Sequence, residues 1–414
     1  MWQFPWRYPE SIALVFGLLV VGSVLQIFAG PFDFTLLLWP VNGIVGAVIV
    51  LLSVLLAVKR KNPLVQWLSG VPMAVALIGG LLILGIFMGL TPQLAHIHPG
   101  DKSLGTALGF RQMTTSWPFV ILYLLLLLSL GTLIARRLFS FRKADYAFYL
   151  NHIGLWLLLF ASGLGASDMK RYVMYVREGD TEWRVYNADG EALELPIAIR
   201  LNDFIMEEYP PQLAVIDRQS GHAQPEQHPE YLQLDEKPVT GKIDAWDLSV
   251  EEYIHEAVRN SDSTYRRVAM PGATPAVLIH AKNRHTGKTA QGWVCGGSTA
   301  QLLMTLPLDD TYTVVMTRPD PKRFISDIDV FTEDGAQGHT RLEVNKPYRV
   351  KHWMIYQYGY DTEAGKLSSY SSMELVYDPW VIAVYVGILL LAAGSVCMLW
   401  MGNRRKEESD GDVE

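Results

Sequence analysis

Cysteine is nearly absent from this chain of 414 residues: Cys295 and Cys397 are the only two. Two thiols build no disulfide framework, and no CxxC or CxxCH occurs, which excludes a dithiol redox enzyme and a covalent c-type haem carrier. Cys295 is read as a quiet core residue rather than a reactive thiol. A basic stripe is missing too: the net charge is −7, with acids and bases interspersed, so nothing points to a nucleic-acid surface. Catalytic sets are equally scarce. His222, His228, His255, His280, His285, His339 and His352 show no ligand spacing, and no serine sits in a GxSxG context, so no hydrolytic site is expected. In "HIHPGD", His96, His98 and Asp101 fall short of a metal set and are read as a solvated loop.

Long apolar runs, by contrast, are plentiful, and half of all residues are hydrophobic. Six runs are long enough to cross about 30 Å of hydrocarbon at about 1.5 Å per residue: roughly Ile12 to Gly30, Phe34 to Val58, Val71 to Leu90, Trp117 to Ala135, Ala147 to Ala166 and Trp380 to Trp400. The first is too long for a cleavable signal and lacks an A-x-A site. The basic segments "KRKN", "RRLFSFRK" and "NRRK" occupy alternate connections, which places them and both termini in the cytoplasm. The resulting fold class is mixed, an α-helical membrane domain of about six transmembrane helices plus a large β-rich extracytoplasmic domain. Its divisions are an N-terminal hairpin at 1–62, a three-span core at 63–167 with an outer loop at 91–116, an outer domain at 168–378, a last span at 379–401 and a tail at 402–414. The localisation expected is the cytoplasmic (inner) membrane, multi-pass, with the large domain periplasmic.

Within the outer domain, short runs such as "YVMYV", "AVLIHA", "TYTVVMT" and "WMIYQYGY" alternate with turn residues at intervals of about ten, which predicts an antiparallel sandwich or open barrel. "DLSVEEYIHEAVRN", Asp247 to Asn260, is expected to be a helix. Trp353, Tyr356 and Tyr358 either form a contact surface or fill the sandwich core, and core is the preferred reading.

His152 is the only histidine in any span, about 10 Å along its helix from Asp145. An ionisable residue in a span is functional by default. Tyr149, His152, Trp156, Phe160 and Gly163 recur at three- and four-residue steps and share a face. Two readings stay open on pattern alone: an imidazole ligand beside aromatic rings that suit a porphyrin, or a histidine hydrogen-bonded to a neighbouring span among packing aromatics.

Seven stretches carry a resemblance: "GLTPQ", "SWPFVILYLLLLLSLGTLIARR", "NHIGLWLLLFASGL", "LPIAIRLNDFIMEEYP", "SDIDVF", "VNKPYRVKHWMIYQYGY" and "DPWVIAVYVGILLLAAG". In this order, from about Leu68 to Trp400, they resemble the ResB (CcsB) family of system II cytochrome c maturation. Members typically have four spans, so residues 1 to about 62 add a pair, and "WPVNG" at Trp39 to Gly43 is read as a local kink. The resemblance implies that His152 is an axial ligand of haem b, paired with a histidine of a CcsA/ResC-type membrane protein that carries a WWD motif, with Tyr149, Trp156 and Phe160 as a haem-facing stripe.

It further implies an accessory, non-catalytic subunit of a cytochrome c haem lyase complex. Such a subunit would deliver haem for attachment to the CxxCH motifs of apocytochrome c, with a thioredoxin-like reductant acting indirectly. Its remaining partner would be the lipid membrane, and no nucleic acid is expected. The competing classes are a transporter or sensor with an extracytoplasmic ligand-binding domain, and an electron-transfer cytochrome b, which would ordinarily need more intramembrane histidines.

Overall fold

The computed structural model describes residues 4–411 except 95, 96, 98, 99, 102, 236, 237, 261, 262, 269, 271, 299 and 300, with side chains as far as residue 400. His96 and His98 therefore lie outside the described residues. The chain divides into two compact units, Met1–Lys170 with Tyr377–Glu414, and Arg171–Val376.

The first unit is helical: α1 (Tyr8–Ala29), α2 (Val41–Val58), α3 (Pro63–Leu68), α4 (Val71–Leu90), α5 (Leu104–Ala107), α6 (Trp117–Leu138), α7 (Tyr146–Gly163) and α8 (Val381–Gly411). Among the described residues, five helical segments are long and apolar enough to cross a membrane: Tyr8–Ala29, Val41–Val58, Val71–Leu90, Leu104–Leu138, which takes in α5 and α6, and Val381–Trp400, the first part of α8. The sixth expected span, α7, is not among them, because Asn151 and His152 lower the hydropathy of its 18 residues. The expected span from Phe34 is also shorter than read. A single 3-10 turn, Phe34–Leu37, precedes α2, which starts only after Pro40, since proline lacks the N–H that a helix interior needs.

Small residues set the packing. α6 lies centrally: Gly22 of α1 abuts Pro118, Gly80 of α4 abuts Leu122, and Gly131 of α6 meets Ser53 of α2 and Trp156 of α7. α7 and α8 approach so closely that a Cβ on Gly154 would meet the Leu391 nitrogen at 2.6 Å and the Gly387 oxygen at 2.8 Å. Asn151 Nδ2 donates to Ser395 Oγ at 2.9 Å across the same contact. Such polar and small residues replace the hydrophobic drive that lipid removes.

The Arg171–Val376 unit is built around three antiparallel sheets, the first of which also takes in the flanking residues Lys170 and Tyr377. The eight-stranded sheet runs Gln337–Glu343, Pro321–Thr332, Ala192–Glu208, Thr181–Tyr186, Lys170–Arg177, Tyr370–Tyr377, Trp353–Tyr360 and Tyr348–Val350 from edge to edge. It curls over its own core of Met174, Val185, Ile199, Ile328, Ile355 and Met373. Polar bonds cross this curl, with Ser326 Oγ donating to Gln357 Oε1 at 2.6 Å. The other two sheets, five- and four-stranded, face each other over Trp246, Leu248, Val277, Ile279, Leu213 and Val314. Barrel-like and sandwich packing are thus both present, as the alternating runs predict.

Two expectations fail here. Residues Asp247 to Asn260 are not a helix: all but the last belong to the strand Trp246–Arg259, paired with Thr240–Ile243, Thr274–Asn283 and Tyr265–Arg267. Register shifts at Val250/Glu252 and Ile254/Ala257 each insert a bulge. Buried Val250, Ile254 and Ala257 therefore fall at steps of four and three, which imitates helical spacing within a strand. Tyr358 is not core either but 62% exposed. Ile355 and Trp353 face the core, and the two-residue period turns Tyr356, which is partly buried, and Tyr358 to the other face.

Candidate functional site

The helical unit has one strongly basic end. Arg60 Nη1, just after α2, donates to Ser140 Oγ at 2.7 Å and to the Phe139 carbonyl at 3.2 Å, so the cationic ends of α2 and α6 sit together. Arg142 and Lys143 then lead directly into α7. His152 lies two turns into α7 from this end and is partly exposed.

The imidazole is oriented by its own helix. Nδ1 lies 3.0 Å from the Phe148 carbonyl, one turn earlier. A carbonyl oxygen only accepts, so Nδ1 carries the proton and Nε2 presents its lone pair. The Phe148 ring stacks on the imidazole with centroids 3.9 Å apart and planes 27° from parallel. Among the described residues Nε2 has no hydrogen-bond partner. A neutral imidazole with one nitrogen tied to a carbonyl and the other open is the form that binds a metal ion.

The other members of the expected face are engaged elsewhere. Tyr149 is buried, donates its hydroxyl to the Arg137 carbonyl at 3.1 Å and stacks on Phe141. Trp156 and Phe160 stack on each other with planes 6° apart. The Trp156 indole donates to Leu127 of α6, and Phe160 meets Trp380 edge-on. Gly163 lies against the Tyr123 ring. The aromatic face that lies directly on His152 belongs to Phe148, which a search at three- and four-residue steps starting from Tyr149 passes over, although it stands at i−4.

A second polar centre went unread in the sequence. Asp168, just beyond α7, is buried and accepts three hydrogen bonds of 2.7 Å: from the Trp39 backbone, from Asn42 Nδ2 and from Trp380 Nε1. It joins the N-terminal hairpin to the start of α8 within this unit. Burial pushes its carboxyl up, but the bonds from Trp380, Trp39 and Asn42 outweigh that and hold it below the usual aspartate range. The available signal was Asn42, an amide inside an apolar run. "WPVNG" is thus a hydrogen-bonded junction as well as a break in the helix.

No group of three or more His, Cys, Asp or Glu residues that could hold a metal occurs among the described residues. Cys295 is fully buried.

Residues 283–369 match the model of the ResB-like family. The resemblance read from the sequence is borne out over this stretch, which lies within the β-rich unit. It includes "SDIDVF" and "VNKPYRVKHWMIYQYGY", whereas His152 lies outside it. The ResB-like match supports a role in cytochrome c biogenesis in general. No curated protein matches the chain.

Proposed function

We propose that this chain is the haem-delivery subunit of a system II cytochrome c synthetase, in which His152 supplies one axial ligand to haem b on its way across the membrane. The observation that carries this reading is the state of His152, with Nδ1–H held by the Phe148 carbonyl and Nε2 open. The ResB-like match supports the same reading from a different part of the chain. Haem is cargo here, and this chain's task is to hold and orient it. Tyr149, Trp156 and Phe160 serve as the packed wall that fixes α7, so that the ligand does not turn away.

One histidine leaves the iron a second position, which a CcsA/ResC-type partner with a WWD motif fills. Thioether formation with the apocytochrome c thiols, kept reduced by a thioredoxin-like protein, takes place on that partner. With the basic end cytoplasmic, haem enters from the inner side of the inner membrane and the β-rich unit is periplasmic.

The test is a pyridine haemochrome assay on the full chain co-purified with its partner. A haem b signal in stoichiometric amount is expected. A haem-free, intact complex that takes up none when haem is added would reject the reading and favour a transporter or sensor.

A further inference from the structure

Three side chains are layered where α6 meets α7. The Arg137 guanidinium carbon lies 5.3 Å from the centroid of the Phe148 ring, and Phe148 in turn stacks on His152 at 3.9 Å. Tyr149 holds the Arg137 carbonyl through its hydroxyl and meets Phe148 edge-on at 5.6 Å.

The guanidinium itself is underused. Its one carboxylate neighbour among the described residues is Asp145 at 3.9 Å, at the outer limit of an ion pair, and its side chain is 56% exposed. A guanidinium has five donors in a planar fork that suits a carboxylate bidentately. Asp145 is also the only acid between Arg136 and Asp168, a stretch with four Lys or Arg residues. Within this stretch, cationic residues therefore outnumber acids four to one.

We infer that Arg137 is the anion partner of the tetrapyrrole held at His152: its guanidinium leaves the loose pair with Asp145 and takes a carboxylate of the porphyrin. This rests on the His152 reading and deepens it. Iron protoporphyrin carries two carboxylates on one edge, and an unpaired carboxylate in hydrocarbon is strongly disfavoured. A cation over Phe148, the ring that also stacks on the ligating imidazole, sets which edge of the macrocycle points to the basic end. It also selects an acidic tetrapyrrole over an esterified one. Phe148 keeps the guanidinium in place by cation–π contact while its carboxylate partner changes.

The experiment compares iron protoporphyrin IX with its dimethyl ester, titrated by absorbance into the full chain with its partner in phosphatidylcholine nanodiscs. The neutral lipid removes anionic headgroups as competitors. Native protein is expected to prefer the free acid. Arg137→Gln should weaken free-acid binding about tenfold or more, from loss of a charge-assisted hydrogen bond, and leave the ester unchanged. Arg137→Lys should keep part of the preference, which separates charge from folding. An Arg137→Gln protein with the native preference would overturn the inference. His152→Ala separates the two levels: an altered spectrum in that variant, together with native discrimination in Arg137→Gln, sinks only the role of Arg137. An unaltered spectrum sinks the His152 reading and this one with it.

Discussion

At the scale of single residues, two polar groups in apolar surroundings behave differently. Asp168 is satisfied: three donors converge on its two oxygens. Because these bonds depress its pKa in the folded state, its contribution is present above the unfolded value of about 3.9 and is lost as pH falls through the folded value. Asp168→Ala orphans donors from Trp39, Asn42 and Trp380 and should cost roughly 3 kcal/mol, read as a lower midpoint of thermal unfolding in detergent. Asp168→Asn should flatten the loss of stability on the acid side of pH 4. An acid limb as steep as in the native chain would assign the pH dependence to other groups. His152, in contrast, is satisfied at one nitrogen only. Its position in an expected span marks it in the sequence, but the tautomer and the Phe148 stack are visible only once the helix brings residues four apart into contact.

At the scale of elements, the apolar runs are legible because lipid demands length and hydropathy, and four of them coincide closely with helices. α7 is legible by its flanks and blurred by Asn151 and His152. Of the glycines in its contact with α8, Gly387 and Gly394 recur two turns apart on α8, but their partner Gly154 is legible only with both helices in view, since a close approach is a property of two helices at once. A direct check is Gly154→Leu. The added side chain runs into the backbone of Leu391 and Gly387, and overpacking of this kind costs about 1–3 kcal/mol. Thermal unfolding of the variant should begin several degrees earlier, and an unchanged midpoint would mean that α7 and α8 do not depend on this contact. Among the strands, alternation succeeds wherever a face is regular. It misleads at Trp246–Arg259, where two bulges convert a two-residue period into steps of four and three.

At the scale of the whole molecule, the chain is two units with separate cores. Residues 171–376 bury their own apolar clusters, the larger centred on fully buried Trp246. Expressed alone, this unit is expected to be soluble, to show β-type circular dichroism and to unfold cooperatively. Trp246→Ala should cost about 3–5 kcal/mol there, measured by urea unfolding. Aggregation or non-cooperative melting of the native segment would show that it needs the helical unit. Function is legible at this scale only in part. The ResB-like stretch lies in the β-rich unit, while the residue assigned to haem lies in the helical one, so the two are joined by the proposed function rather than by a shared motif.

The most direct measurement is the optical spectrum of haem in the complex of this chain with its partner, recorded for the native chain and for His152→Ala, before and after addition of free imidazole. The expected result is a low-spin b-type spectrum in the native complex, its loss in the variant, and its return when imidazole fills the vacated position. A native spectrum in an intact His152→Ala complex would return His152 to helix packing and contradict its role as a ligand.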